Sequence, residues 1–159
     1  MINENKGDRA YDNFLKGYNC TQAVTVAFAE ELGLDEQKTA RLSCGFGGGM
    51  GRMREVCGTF SGIVMVLSQL YGYSDPKDTV AKKDLYEKIR ILAAKFKADN
   101  GSIICRELLG LEKAEESAAP EPRTAEYYKK RPCPELCRYS AHILEHFIRE
   151  NPPDTENIS

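Results

Sequence analysis

The sequence predicts an all-α protein, a compact multi-helix bundle around one apolar helix that a glycine-rich loop precedes. Three observations lead there. Apolar residues recur at spacings of three and four along most of the chain, no run alternates with period two over a useful length, and glycine or proline punctuates the points where helices stop. At 159 residues, with 42% hydrophobic and 29% charged, the chain suits a single domain, 1–159, that buries a core without needing disulfides.

Each element has its local signal. From Asp8 to Lys16, Tyr11, Phe14 and Leu15 mark a first helix that ends at Gly17. Asn19 or Thr21 caps the second, which runs from about Thr21 to Leu32, buries Ala23, Val24, Ala27, Phe28 and Leu32, and stops at Gly33. Asp35 caps a third helix reaching roughly Cys44. The stretch Gly45-Phe46-Gly47-Gly48-Gly49-Met50-Gly51 is a loop, because so many glycines cost too much conformational entropy to persist as helix or strand.

The helix from about Val56 to Tyr71 is apolar on nearly every side and belongs at the centre of the fold. A long amphipathic helix follows from about Asp75 to Asp99, with Leu85, Ile89, Leu92 and Phe96 on its apolar face and Asn100-Gly101 as its end. Ser102 caps a short helix through Leu109. Residues 112–132 turn polar and proline-containing, an exposed loop with at most some helix. Pro134 suits the first turn of a last helix, which starts beside Cys133 and reaches about Glu150, and 152–159 form a frayed tail.

Composition narrows the function. A net charge of −2 and the lack of an aromatic-basic stripe leave no footprint for nucleic acid. The polar N-terminus has no apolar core of a signal peptide, and the longest apolar stretch, Gly62 to Leu67, is too short to cross a bilayer, so the expectation is a cytoplasmic protein without membrane insertion. In a reducing compartment six cysteines are metal ligands or redox-active thiols more often than a disulfide framework.

Four of those cysteines, Cys20, Cys57, Cys105 and Cys133, sit where helices begin. A helix start carries unpaired N–H groups and roughly half a positive charge, which favours the thiolate, the form that attacks disulfides and binds metals. Cys57 also follows Arg52 and Arg54, Cys133 follows Lys129, Lys130 and Arg131, and Cys105 adjoins Arg106, whereas Cys20 has the helix start alone. The bland alternative is a small buried side chain that packs. Cys137 fits that description, since it aligns with Ser140, Ala141, Leu144 and Ile148, and Cys44 ends a helix, where the dipole disfavours a thiolate.

Two other motifs are weaker. His142-Ile143-Leu144-Glu145-His146 matches a zinc-peptidase pattern, but both histidines fall on the face opposite the apolar stripe, which makes them a solvated helix face. The glycine loop with Arg52 and Arg54 invites an anion, yet no strand precedes it and no Gly-Lys-Ser/Thr follows. A close-packed bend against the Cys57 helix is the expected role.

Together these residues resemble the bacterial and archaeal C_GCAxxG_C_C family of redox-active proteins, named for one cysteine, a Cys-Gly-Ala-x-x-Gly segment and two further cysteines. Here the segment is Cys57-Gly58-Thr59-Phe60-Ser61-Gly62, with Thr59 in place of the alanine. Asn19-Cys20-Thr21-Gln22-Ala23, the glycine loop, Cys105-Arg106-Glu107-Leu108-Leu109-Gly110 and Cys133 carry the rest of the likeness. The resemblance implies redox chemistry at Cys20, Cys57, Cys105 and Cys133, and leaves Cys44 and Cys137 as extras of this sequence.

Three readings follow. In the first, Cys57 is a low-pKa attacking thiolate and Cys20, Cys105 or Cys133 resolves the mixed disulfide, with a thiol substrate or redox partner. In the second, the same four cysteines hold zinc or an iron–sulfur cluster. The third is a dimeric helical interaction domain whose cysteines merely pack.

Overall fold

Asparagine, aspartate and threonine caps set most of the helix starts in the computed structural model, which describes residues 5–112 and 116–154. Asn5 accepts from Asp8 N and opens α1 (Lys6–Leu15). Asn19 and Gln22 form a reciprocal capping box for α2 (Cys20–Ala27), satisfying two otherwise orphaned donors. The helix breaks at Phe28, and a single further turn, α3 (Ala29–Leu32), closes on Gly33 at φ +68°. Asp35 caps α4 (Glu36–Ser43), which passes into a 3₁₀ turn over Cys44–Phe46 and then the glycine loop.

After that loop come α5 (Gly58–Tyr71), α6 (Thr79–Asn100), the one-turn α7 (Cys105–Leu108), α8 (Ala125–Lys130) and α9 (Cys133–Glu150). The described residues hold no sheet, only an isolated antiparallel bridge between Val56 and Ile104. The all-α expectation is correct.

Packing centres on two helices rather than one. α5 is buried as its sequence predicts, through Phe60, Ile63, Val66, Leu67 and Leu70, but α2 shares the centre, touching α1, α4, α5 and α9. These two helices approach closely because α5 offers glycine at 58 and 62, one turn apart. A Cβ at Gly62 would lie 3.0 Å from Val24 Cβ. α6 and α9 close the far side, where Phe96 packs edge-on between Phe60 and Tyr139 at 5.8 and 5.6 Å. Each fully buried side chain of this kind contributes about 1.5–3 kcal/mol.

Some expectations need correction. Leu15 is 45% exposed, and α1 instead buries Ala10, Asn13 and Phe14. The second helix is interrupted at Phe28. The long helix starts at Thr79, because Asp75 folds a turn around Pro76 by accepting from Lys77 N, and Asp78 then supplies the cap. Within 112–132 the helix allowed for there forms at 125–130, but Tyr127 and Tyr128 pack on the core rather than lying in an exposed loop. Residues 113–115, and the part of the expected tail from 155 on, lie outside the described residues. Among the described residues no helix is long and apolar enough to cross a membrane.

Candidate functional site

The glycine loop is a coil of backbone turned back on itself. Gly51 N donates to Gly45 O, Arg54 N to Gly48 O and Glu55 N to Gly49 O, at 2.8, 3.1 and 2.9 Å. Such winding needs left-handed backbone: Gly48, Gly49 and Gly51 supply it freely, while Met50, Arg52 and Arg54 adopt it at φ +68°, +63° and +61°. For a non-glycine residue that conformation costs about 1–2 kcal/mol. Gly49 has no alternative, because a Cβ there would come within 2.7 Å of Arg54 Cα and Cys105 Cβ.

The loop delivers the chain to a short pairing that no periodicity signals. Cys57 N donates to Ile103 O at 2.8 Å, Cys105 N to Glu55 O at 2.5 Å and Arg106 N to Arg54 O at 3.2 Å. Cys57 and Cys105, far apart in the chain, are thereby fixed side by side. Cys57 becomes the N-cap of α5, and Cys105 opens α7.

Cys20 reaches the same place from α2. It fits because residue 58 has no side chain: a Cβ on Gly58 would overlap Cys20 Sγ and come within 2.6 Å of Thr21 Oγ1. Cys133 arrives at the start of α9. All four cysteines line one cavity of about 80 Å³, with Asn19, Gly48, Arg54, Arg123, Tyr127 and Leu136 among the other walls. A water needs about 10–15 Å³ by this measure, so the space admits several waters or the end of one small molecule.

Burial, not the helix starts, governs the thiols. Cys57 is 5% exposed and its pKa is pushed up to about 12, by desolvation first and then by the negative charge of Cys20; hydrogen bonding with Thr59 Oγ1, at 3.2 Å, only moderates this. Cys133 is likewise pushed up to about 12 by burial and then by Cys20, with Arg131 pulling the other way. Cys105 is raised by burial, opposed by Arg54, whose Nη1 donates to its sulfur at 3.8 Å. Burial thus sets Cys57 opposite to the low-pKa thiolate expected of it. Arg54 serves Cys105, and Arg52 turns to Ser117 O at 2.7 Å and to Glu121.

Cys20 is the sulfur common to the surroundings of Cys57, Cys105, Cys133 and Cys137, and a thiolate there raises the pKa of each. It is also half-buried, more open than Cys57 or Cys105. Cys137 is sealed in the core, its Sγ 3.9 Å from Cys20 O, and Cys44 is exposed at the end of α4 against Arg41 O, as expected of both. His142 and His146 face outward, the latter pairing with Glu150 at 3.2 Å. All six thiols are free.

Four soft thiol donors suit zinc or an iron–sulfur cluster in kind. As they stand, however, no three His, Cys, Asp or Glu side chains among the described residues are grouped to hold a metal ion. Arg123 and Tyr127 are wall residues that the sequence did not reveal. Both lie in the polar stretch read as loop, and a lone arginine there carries no pattern.

An all-α frame that collects four helix-start cysteines around one small cavity defines a cysteine-cluster protein. More particularly, the chain belongs to the family described as "Putative redox-active protein (C_GCAxxG_C_C)", whose model matches residues 18–147. That span takes in all four cavity cysteines. No curated protein and no solved structure matches the chain.

Proposed function

We propose that the protein carries out thiol–disulfide exchange at the four-cysteine cavity, with Cys20 as the attacking thiol and Cys57 as the resolving one. The observation that carries this reading is the convergence of Cys20, Cys57, Cys105 and Cys133 on one cavity from four separate elements. Cys20 takes the role first expected of Cys57, because it is the more open of the pair and Cys57 is held protonated by desolvation.

The step balances with a disulfide substrate. Cys20 sulfur, deprotonated, attacks one sulfur of R–S–S–R; the S–S bond breaks and RS⁻ leaves, taking up a proton. Cys57 then gives up its proton and attacks the Cys20 sulfur of the mixed disulfide, expelling the second RS⁻, which is protonated in turn. Two electrons pass from the protein to the substrate, leaving a Cys20–Cys57 disulfide and two RSH. An external dithiol would return the protein to its reduced state. Thr59 Oγ1, in hydrogen-bond reach of Cys57 Sγ, is suited to donate to the Cys57 thiolate as it forms, while the released proton goes to the departing RS⁻.

The test is to treat anaerobically reduced protein with one equivalent of bis(2-hydroxyethyl) disulfide and map the products by mass spectrometry. The expected products are a Cys20–Cys57 linkage in the native chain and a stable mixed disulfide on Cys20 in Cys57→Ala. Adducts confined to exposed Cys44 would sink the exchange reading, and metal or visible colour in anaerobic preparations would favour the ligand reading of the same four residues.

A further inference from the structure

Beside the cysteine cavity lies a wider groove of about 410 Å³, and the two share Asn19, Gly48, Arg54, Arg123, Tyr127 and Cys133 as walls. The volume is that of a small-molecule site. Among the described residues its charged walls are Arg52, Arg54, Arg123 and Arg131 with Glu121, and Arg123 stands on the wall shared with the cysteine cavity. From this we propose that the disulfide taken up by the protein is a small molecule bearing a carboxylate, held by Arg123 and Arg131 over the sulfurs. This rests on the exchange reading above and deepens it by naming the substrate class.

Arg123 is the stronger observation. Its Nη1 and Nη2 donate to Phe14 O and Tyr18 O, both at 3.0 Å, and its guanidinium lies 4.0 Å from the Phe14 ring and 5.2 Å from that of Tyr127. Its partners are two carbonyls and two aromatic faces. The cation is thus fixed in position by neutral groups, at the wall common to both spaces, with its charge left to act on what enters. A rigid guanidinium presented in this way matches a planar carboxylate.

Arg131 supplies the precedent. Its guanidinium, with a side chain 12% exposed, already grips a carboxylate in this groove, that of Glu121, which also pairs with Arg52 at 3.3 Å. Glu121 is the more exposed partner at 41%, and it sits between Pro120 and Pro122 on the stretch leading to α8. A substrate carboxylate would compete for the place Glu121 holds. Cys133 lines the groove together with Arg131, so a group bound there has one of the four sulfurs beside it.

Rates of oxidation of the full reduced chain by three disulfides of similar size test this: dianionic 3,3′-dithiodipropionate, neutral bis(2-hydroxyethyl) disulfide and dicationic cystamine. Each rate is divided by that of N-acetylcysteine amide, which cancels intrinsic reactivity. The dianion should outrun the dication by about tenfold or more, and the ratio should fall as salt screens the groove. Arg131→Gln should cut the ratio, Glu121→Gln should raise it, and Arg123→Lys should keep more of it than Arg123→Gln. Arg131→Gln and Glu121→Gln carry the test if Arg123→Gln does not fold.

Equal normalised rates for the three disulfides, with a Cys20–Cys57 linkage still forming, would overturn the carboxylate assignment while leaving the exchange reading intact. A charge preference that survives both Arg123→Gln and Arg131→Gln would overturn it too. If none of the three disulfides yields the linkage, the exchange reading fails and takes this assignment with it.

Discussion

Gly58 separates the site from the packing that surrounds it, and Gly58→Ala measures the difference. The added Cβ would overlap Cys20 Sγ and lie 2.6 Å from Thr21 Oγ1, where carbon contacts prefer about 3.5–4.0 Å, so roughly 1 Å must be found. Thr21 is fully buried and has no room to swing. Either α2 and α5 spread or the Cys20 sulfur is driven from the cavity. Overpacking against two atoms at once falls in the upper part of the usual range, about 2–3 kcal/mol, and the gain in helix propensity returns about 1, for a net loss of about 1–2 kcal/mol. For a chain of this length that is a fall in Tm of about 2–8 °C. Gly62→Ala is the control. Its Cβ meets Val24 at 3.0 and 3.1 Å and Thr21 O at 3.3 Å, with no sulfur among these nearest atoms, so it should cost less than about 1 kcal/mol and leave Cys20 chemistry alone. The assay pairs thermal unfolding with the rate of disulfide adduct formation at Cys20, which should fall about tenfold in Gly58→Ala only, a barrier of about 1.4 kcal/mol. If Gly58→Ala is as stable as the native chain and Cys20 reacts at the native rate, the account of the motif glycine is wrong.

With a pKa of about 12 against an ordinary 9.0, Cys57 should alkylate at pH 8 about fifty times more slowly than a model thiol: the thiolate fraction falls about a thousandfold and the greater nucleophilicity of a more basic sulfur recovers about twentyfold. A rate equal to the model thiol, read by peptide mass mapping, would remove the desolvation argument. The same shift predicts alkaline instability. The folded pKa exceeds the unfolded one, so the contribution is whole below pH 9 and is lost between pH 9 and 12, at about 1.4 kcal/mol per pH unit for Cys57. Urea unfolding of Cys57→Ala over that range should show a shallower pH slope than the native chain. Arg54→Gln removes both the donor and the charge that lower the Cys105 pKa, so Cys105 should alkylate still more slowly while Cys137, already sealed, stays inert. Faster labelling of Cys105 in that variant would contradict the Arg54 assignment.

The helices were legible because their signals are local. Asn19, Asp35 and Pro134 announce helix starts by their own side chains, and Leu85, Leu92 and Phe96 mark the buried face of α6 by spacing alone. That Cys20, Cys57, Cys105 and Cys133 stand at helix starts was legible for the same reason, since a helix start can be read from its neighbours. What those thiols experience was not. The direction of the Cys57 shift depends on how deeply α5 is covered, and the partner of Arg54 depends on the pairing of 54–57 with 103–106, two segments some fifty residues apart. That pairing is a single bridge, too short to leave a period in the sequence. Arg123 illustrates the limit, because its place in the wall is set by carbonyls on α1 and the turn after it, contacts no local pattern encodes.

Cys137 shows what a merely packing cysteine looks like in this fold, and the comparison bears on the other four. It is fully buried on the apolar face of α9, with ordinary helical backbone around it and no strained segment serving it. At Cys20, Cys57 and Cys105, by contrast, the fold accepts several costs together. Three non-glycine residues sit in left-handed backbone, an expense of about 3–6 kcal/mol against a typical total stability of about 5–15. A guanidinium is buried to 7% exposure beside a sulfur, and Gly58 leaves out a side chain to admit Cys20. Packing alone requires none of these, since an alanine or valine with relaxed backbone would fill the same space more cheaply. Local costs concentrated at one cavity while the packing around Cys137 carries none are what the exchange reading expects, and a packing-only account has no use for the strained loop that delivers Cys57 to Cys105.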